Sequence, residues 1–172
     1  MKKIKNIILI GMPATGKSTV GVILAKLIGF NFLDADILIA VDQNRTLSQI
    51  IAEDGYDRFI EIEGNVGKNI KCERTVIATG GSMVFSEDAM NNLAENGILV
   101  WLDTPVSELE KRLLGSLEDR GVATPVKMSF SEIHEMREPL YRKYADIHII
   151  CSGSTEKVVS ELREKLINDN LI

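Results

Sequence analysis

The chain has 172 residues, is 45% hydrophobic and carries a formal charge of −5. That size suits one compact unit with a full core, and the acidic balance argues against a nucleic-acid protein held by a general phosphate-binding face. No apolar run approaches the roughly 20 residues that span a bilayer, and the two cysteines, Cys72 and Cys151, lack metal-ligand spacing, so neither a membrane nor a structural metal is expected.

In chain order, apolar β-branched runs predict strands at 3–10, 31–33, 75–78, 98–102 and 147–150. Helical spacing predicts helices at 17–28, 46–53, 56–71, 87–95, 105–114, 130–144 and 155–169. This alternation predicts an α/β domain on a parallel sheet, with 1–172 as a single domain. The basic start, Met1 to Asn6, runs into a short apolar stretch that feeds a glycine loop rather than a cleavage site, so a cytoplasmic protein with two reduced thiols is expected.

The first strand runs into Gly11-Met12-Pro13-Ala14-Thr15-Gly16-Lys17-Ser18, which fits G-x-x-x-x-G-K-[ST] at every fixed position. A strand, a glycine loop and a helix are what phosphate binding needs. The glycines let backbone N–H groups turn toward an anion, and the helix N-terminus adds positive partial charge. Gly11, Ala14, Thr15, Gly16, Lys17, Ser18 and Thr19 are therefore the candidate nucleotide-binding residues. Lys17 is expected at the β- and γ-phosphates, and Ser18 at Mg²⁺.

Further signals follow the strands. Asp34-Ala35-Asp36 ends the second strand, where carboxylates either serve a ligand crevice or cap the next helix. Thr79-Gly80-Gly81-Ser82 ends the third, where glycines either admit a ligand to the backbone or make an ordinary turn. The segment 115–127, with two glycines, a proline and Arg120, reads as a lid or as an inert loop. Arg137 precedes Pro139, which is expected to kink or interrupt its helix; the arginine aims at a substrate carboxylate or is a solvated charge. Trp101 is expected to be packing. No guanine-reading Asn/Thr-Lys-x-Asp stretch occurs, which argues against a GTP switch.

Taken together, the loop at Gly11, Asp34-Ala35-Asp36, Gly80-Gly81 and Arg137-x-Pro139-Leu140-Tyr141 resemble the shikimate kinases, essentially end to end. The resemblance implies a P-loop three-layer α/β/α fold with a five-stranded parallel sheet in order 2-3-1-4-5. It also implies a substrate-binding helical region about 34–63, a lid about 115–127 and a monomeric protein. The implied reaction moves the γ-phosphate of ATP to the 3-hydroxyl of shikimate. Implied roles are Mg²⁺ contact through water for Asp34, hydroxyl binding and proton acceptance for Asp36, and substrate contact for Gly80 and Gly81. Arg112 is implied to pack on adenine, Arg120 to close over the phosphates, and Arg137 to grip the shikimate carboxylate. Two positions depart from the family pattern. Its Phe-Arg-x-x-Glu reads Phe59-Ile60-Glu61-Ile62-Glu63 here, so Ile60 stands where the second carboxylate-binding arginine is expected, and Ser82 replaces a third glycine. Arg58, two positions away, is rotated by roughly 200° on a helix. Another small hydroxy acid or polyol as acceptor, or a nucleotide-binding module without catalysis, therefore stand as alternatives.

Overall fold

A computed structural model describes residues 5–113 and 128–172. The proposed lid with Arg120 and the first four residues lie outside the described residues. Five strands form one parallel sheet: β1 (Asn6–Ile10), β2 (Asn31–Asp34), β3 (Thr75–Ala78), β4 (Ile98–Asp103) and β5 (Ile147–Ile150), in the order β2-β3-β1-β4-β5. The helices are α1 (Lys17–Ile28), α2 (Ala35–Gln43), α3 (Leu47–Asp54), α4 (Tyr56–Asn69), α5 (Glu87–Asn96), α6 (Val106–Leu113), α7 (Phe130–Tyr144) and α8 (Thr155–Asn168), with a short 3₁₀ turn at Met83–Phe85.

The central strand explains the layering. All five residues of β1 are buried, because side chains of successive residues leave opposite faces of a covered sheet. Ile8 and Ile10 join Trp101, Ile77, Met90, Ile133 and Tyr141 on one face. Ile7 and Leu9 join Val20, Leu24, Val159 and Leu162, from α1 and α8, on the other. Each such side chain contributes about 1.5–3 kcal/mol on burial. A third, smaller core of Ile39, Ile50, Phe59 and Ile62 holds α2, α3 and α4 together. Trp101 is packing, as expected, buried against Tyr141 and His148.

One helix was absent from the sequence reading, and one of two alternatives for Pro139 is set aside. A helix, α2, follows β2 directly: the Asp34 side chain accepts from Asp36 N and caps it, so the run Ile37 to Val41 enters the helix immediately. Pro139 lies inside α7 without interrupting it. A proline removes one helical hydrogen bond and crowds the preceding turn, and here the buried stripe Ile133, Arg137 and Tyr141 on either side of it keeps both halves docked. Among the described residues no helix is long and apolar enough to cross a membrane.

Candidate active site

Sheet order reverses direction about β1, with β3 on one side and β4 on the other. Ligands of open α/β sheets bind outside the carboxyl ends of the strands at such a point. Here that edge collects the loop after β1, Asp34 and Asp36 after β2, and Thr79 to Ser82 after β3. A cleft of about 270 Å³ opens there, and its lining includes Ala14, Gly16, Lys17, Ser18, Thr19, Asp36, Gly80, Gly81 and Arg137. Thus residues up to 123 positions apart, Ala14 and Arg137, meet in one hollow.

The loop is shaped by its backbone. Gly11 has φ +141°, and a Cβ there would strike the carbonyl of Leu102; no other residue fits. Gly16 enters α1 at φ 92°. Lys17 folds back so that Nζ donates to the carbonyls of Gly11 and Met12, both at 2.8 Å. Burial pulls its pKa down to about 8, opposed by the carboxylate of Asp36. The Thr15 hydroxyl is buried with no hydrogen-bond partner among the described residues. Arg112, on α6, donates to the carbonyl of Ala14 at 3.1 Å, which ties that helix to the loop.

Ser18 Oγ donates to Asp34 Oδ2 at 2.6 Å, while Asp34 Oδ1 accepts from Asp36 N at 3.0 Å. Asp34 is therefore both a helix cap and a neighbour of the loop hydroxyl, which merges the two readings of the sequence. A hydroxyl beside a carboxylate at an open edge is a hard-oxygen pair suited to Mg²⁺, which takes few protein ligands and completes its shell with water and phosphate oxygens. Asp36 points into the cleft half-buried, and burial together with the Asp34 carboxylate pushes its pKa up to about 6.

The acceptor end is built on α4 and α7. Spacing by four places Ile133, Arg137 and Tyr141 on one buried stripe, so Arg137 is fully buried rather than a solvated charge. Its Nη2 lies 3.4 Å from Tyr56 Oη, and its guanidinium sits 5.6 Å over the Phe85 ring. Tyr141 Oη donates to the carbonyl of Gly81 at 2.6 Å and pins the glycine turn. The turn's glycines are required by closeness, not by φ. A Cβ on Gly80 would overlap Glu63 Oε1, and one on Gly81 would sit 2.9 Å from Arg137 Nη1.

Glu63 was not among the residues singled out by the sequence. It is buried, accepts a short hydrogen bond from Ser82 Oγ, and leaves Oε1 with no hydrogen-bond partner among the described residues. Burial pushes its pKa up to about 7, against the pull of the Ser82 hydrogen bond. Its signal was its place as the glutamate closing the Phe59 to Glu63 stretch, where only the departure at Ile60 was weighed, and its position beside the buried Phe59 and Ile62. Phe59 and Leu47 complete the walls of the cleft. Arg58 faces solvent and pairs with Glu61 at 2.7 Å, so it does not reach this end. Ile60 lies half-buried in a separate groove with Gly64, Asn65, Lys68 and Ser86.

A phosphate loop with its lysine, a carboxylate pair and a buried arginine in one hollow at the switch point define a P-loop small-molecule phosphotransferase. A family model described as Shikimate kinase matches residues 13–167. The shikimate kinase of Nostoc punctiforme is 37% identical over 172 aligned positions, covering 95% of this chain and 91% of its own. That of Clostridium botulinum (strain Eklund 17B / Type B) is 35% identical over 166, covering 95% and 98%. Among solved structures, shikimate kinase from Acinetobacter baumannii in complex with shikimate superposes with a TM-score of 0.84 at 27% identity, covering 98% of this chain and 96% of that one. The chain belongs to the shikimate kinase family.

Proposed function

We propose that the protein transfers the γ-phosphate of ATP to the 3-hydroxyl of shikimate. The observation that carries this reading is the one cleft that holds the loop lysine, Asp36 and the buried Arg137 together. Lys17 neutralises the phosphoryl oxygens, Arg137 anchors the acceptor carboxylate, and Asp36 meets the acceptor hydroxyl between them. As the hydroxyl oxygen bonds to the γ-phosphorus, the bond to the β–γ bridging oxygen breaks, the hydroxyl proton passes to Asp36, and ADP leaves. A pKa raised toward neutrality suits a proton acceptor, and positioning with charge stabilisation accounts for most of such a catalyst's effect. Ser18 and Asp34 would hold Mg²⁺, which would supply further charge neutralisation on the phosphate oxygens. Retention of Lys17, Asp36 and Arg137 in one site favours catalysis over a silent nucleotide-binding module.

The test is ADP release from Mg·ATP with and without shikimate. Release that depends on shikimate, and that falls by about 10²–10⁴-fold in Asp36→Asn, supports the reading. Release that ignores shikimate refutes it.

A further inference from the structure

Among the described residues, with Ile60 turned into a neighbouring groove and Arg58 paired with Glu61 in solvent, the cleft is lined by two cations, Lys17 on the phosphate loop and Arg137 on α7, together with the carboxylates of Asp36 and Glu63. A substrate carboxylate has two oxygens and about four lone-pair sites, so it can accept from a further donor beside the guanidinium. Beside Arg137, and behind the residues that line the cleft, stands the phenol of Tyr56, at the first turn of α4, with Oη 3.4 Å from Arg137 Nη2.

A guanidinium donates and cannot accept, so in this contact Tyr56 Oη is the acceptor. Its own proton is then available, and among the described residues it donates to no protein group. A carboxylate oxygen seated at Nη2 shares that nitrogen's surroundings, and the phenol is part of them. The ring is held by the small core of α2, α3 and α4, packed with Ile39, Ile50, Phe59 and Ile62. The hydroxyl is thus presented by a fixed two-torsion side chain at low entropic cost.

We propose that Tyr56 is a specificity-determining residue that donates its phenolic hydrogen bond to the acceptor carboxylate beside Arg137, in the role an arginine at position 60 would otherwise fill. This rests on the function proposed above. It differs from that proposal in requiring a particular hydroxyl, which Tyr56→Phe removes while keeping the packed ring.

The experiment compares wild type and Tyr56→Phe with shikimate and with shikimate methyl ester, whose ring hydroxyls are intact and whose carboxylate charge is gone. A hydrogen bond to a charged group is worth enough to shift affinity about tenfold or more. Expected is a rise of at least about tenfold in KM for shikimate in Tyr56→Phe, with kcat within about twofold, KM for ATP unchanged and the thermal midpoint retained. With the ester the two proteins should be alike, which a merely structural role would not produce. A second variant, Tyr56→His, keeps a ring N–H donor and should recover part of the loss. An unchanged KM for shikimate in Tyr56→Phe, or an equal rise for acid and ester, overturns the inference while leaving the proposed function standing. Wild type inactive on shikimate overturns the proposed function, and this inference with it.

Discussion

Gly80→Ala is the smallest change that should disable the acceptor end. The new methyl overlaps Glu63 Oε1 and lies 3.0 Å from Asp36 Oδ1. Glu63 cannot swing aside at little cost, because it is buried and its other oxygen is fixed by Ser82. Relief must come from moving α4, the glycine turn or Asp36. Overpacking of this kind costs about 1–3 kcal/mol of stability, and misplacing a reacting group by about 1 Å costs about 10²-fold in rate. The three atoms nearest the new methyl belong to Glu63 and Asp36 and none to the phosphate loop, so ATP should be bound as before. Steady-state rates against each substrate measure this: kcat/KM for shikimate should fall by about a hundredfold, KM for ATP should change less than about threefold, and the melting midpoint should drop. Gly80→Ala with wild-type kcat/KM for shikimate would refute the claim that Glu63 and Asp36 are held in place against this turn.

Other outcomes follow from the same geometry. The profile of kcat/KM against pH should rise about tenfold per unit up to about 6, as Asp36 ionises, and decline above about 8, as Lys17 loses its proton; Asp36→Asn should remove the acidic limb, and a wild-type profile flat from pH 5 to 7 would contradict this. Lys17→Ala should lower kcat by at least about a hundredfold with the fold intact, because the side chain serves the loop carbonyls and bound phosphate rather than a core; near-normal turnover would contradict it. Glu63 bears on stability. A carboxyl raised from 4.5 to about 7 costs the fold nothing when protonated in both states, below about 4.5, and the full amount above about 7. Glu63→Gln should therefore gain stability relative to wild type as pH rises through that window in chemical denaturation, and a gap constant from pH 4 to 8 would contradict the account.

The parts of the site that a sequence shows are those set by local rules. Gly11 to Ser18 carries its chemistry in eight consecutive residues, and the strand before it and helix after it lie where the pattern needs them. Asp34 and Asp36 were placed by the end of a strand, and Arg137 could have been placed more firmly by its four-residue spacing from Ile133 and Tyr141. Helix α2 was missed, although a cap at Asp34 or Asp36 was one of the readings, because Ile37 to Val41 is an unbroken apolar run without helical periodicity. Of the two outcomes expected for Pro139, interruption does not occur, because the docked stripe of α7 holds both sides of it. Contacts across long separations were not legible: Ser82 with Glu63 joins 19 positions, and Tyr56 with Arg137 joins 81. Only the packing of the turn at Met83–Phe85 against both α4 and α7 brings such pairs together, and no local pattern encodes it.

The most direct test of the whole account is the product itself. Wild-type protein incubated with Mg·ATP and shikimate should yield one new phosphate monoester by phosphorus NMR, coupled to the proton on C3, in equal amount to the ADP formed. ADP without that ester, or a phosphate on a different hydroxyl, would contradict the placement of Asp36 between the loop lysine and Arg137.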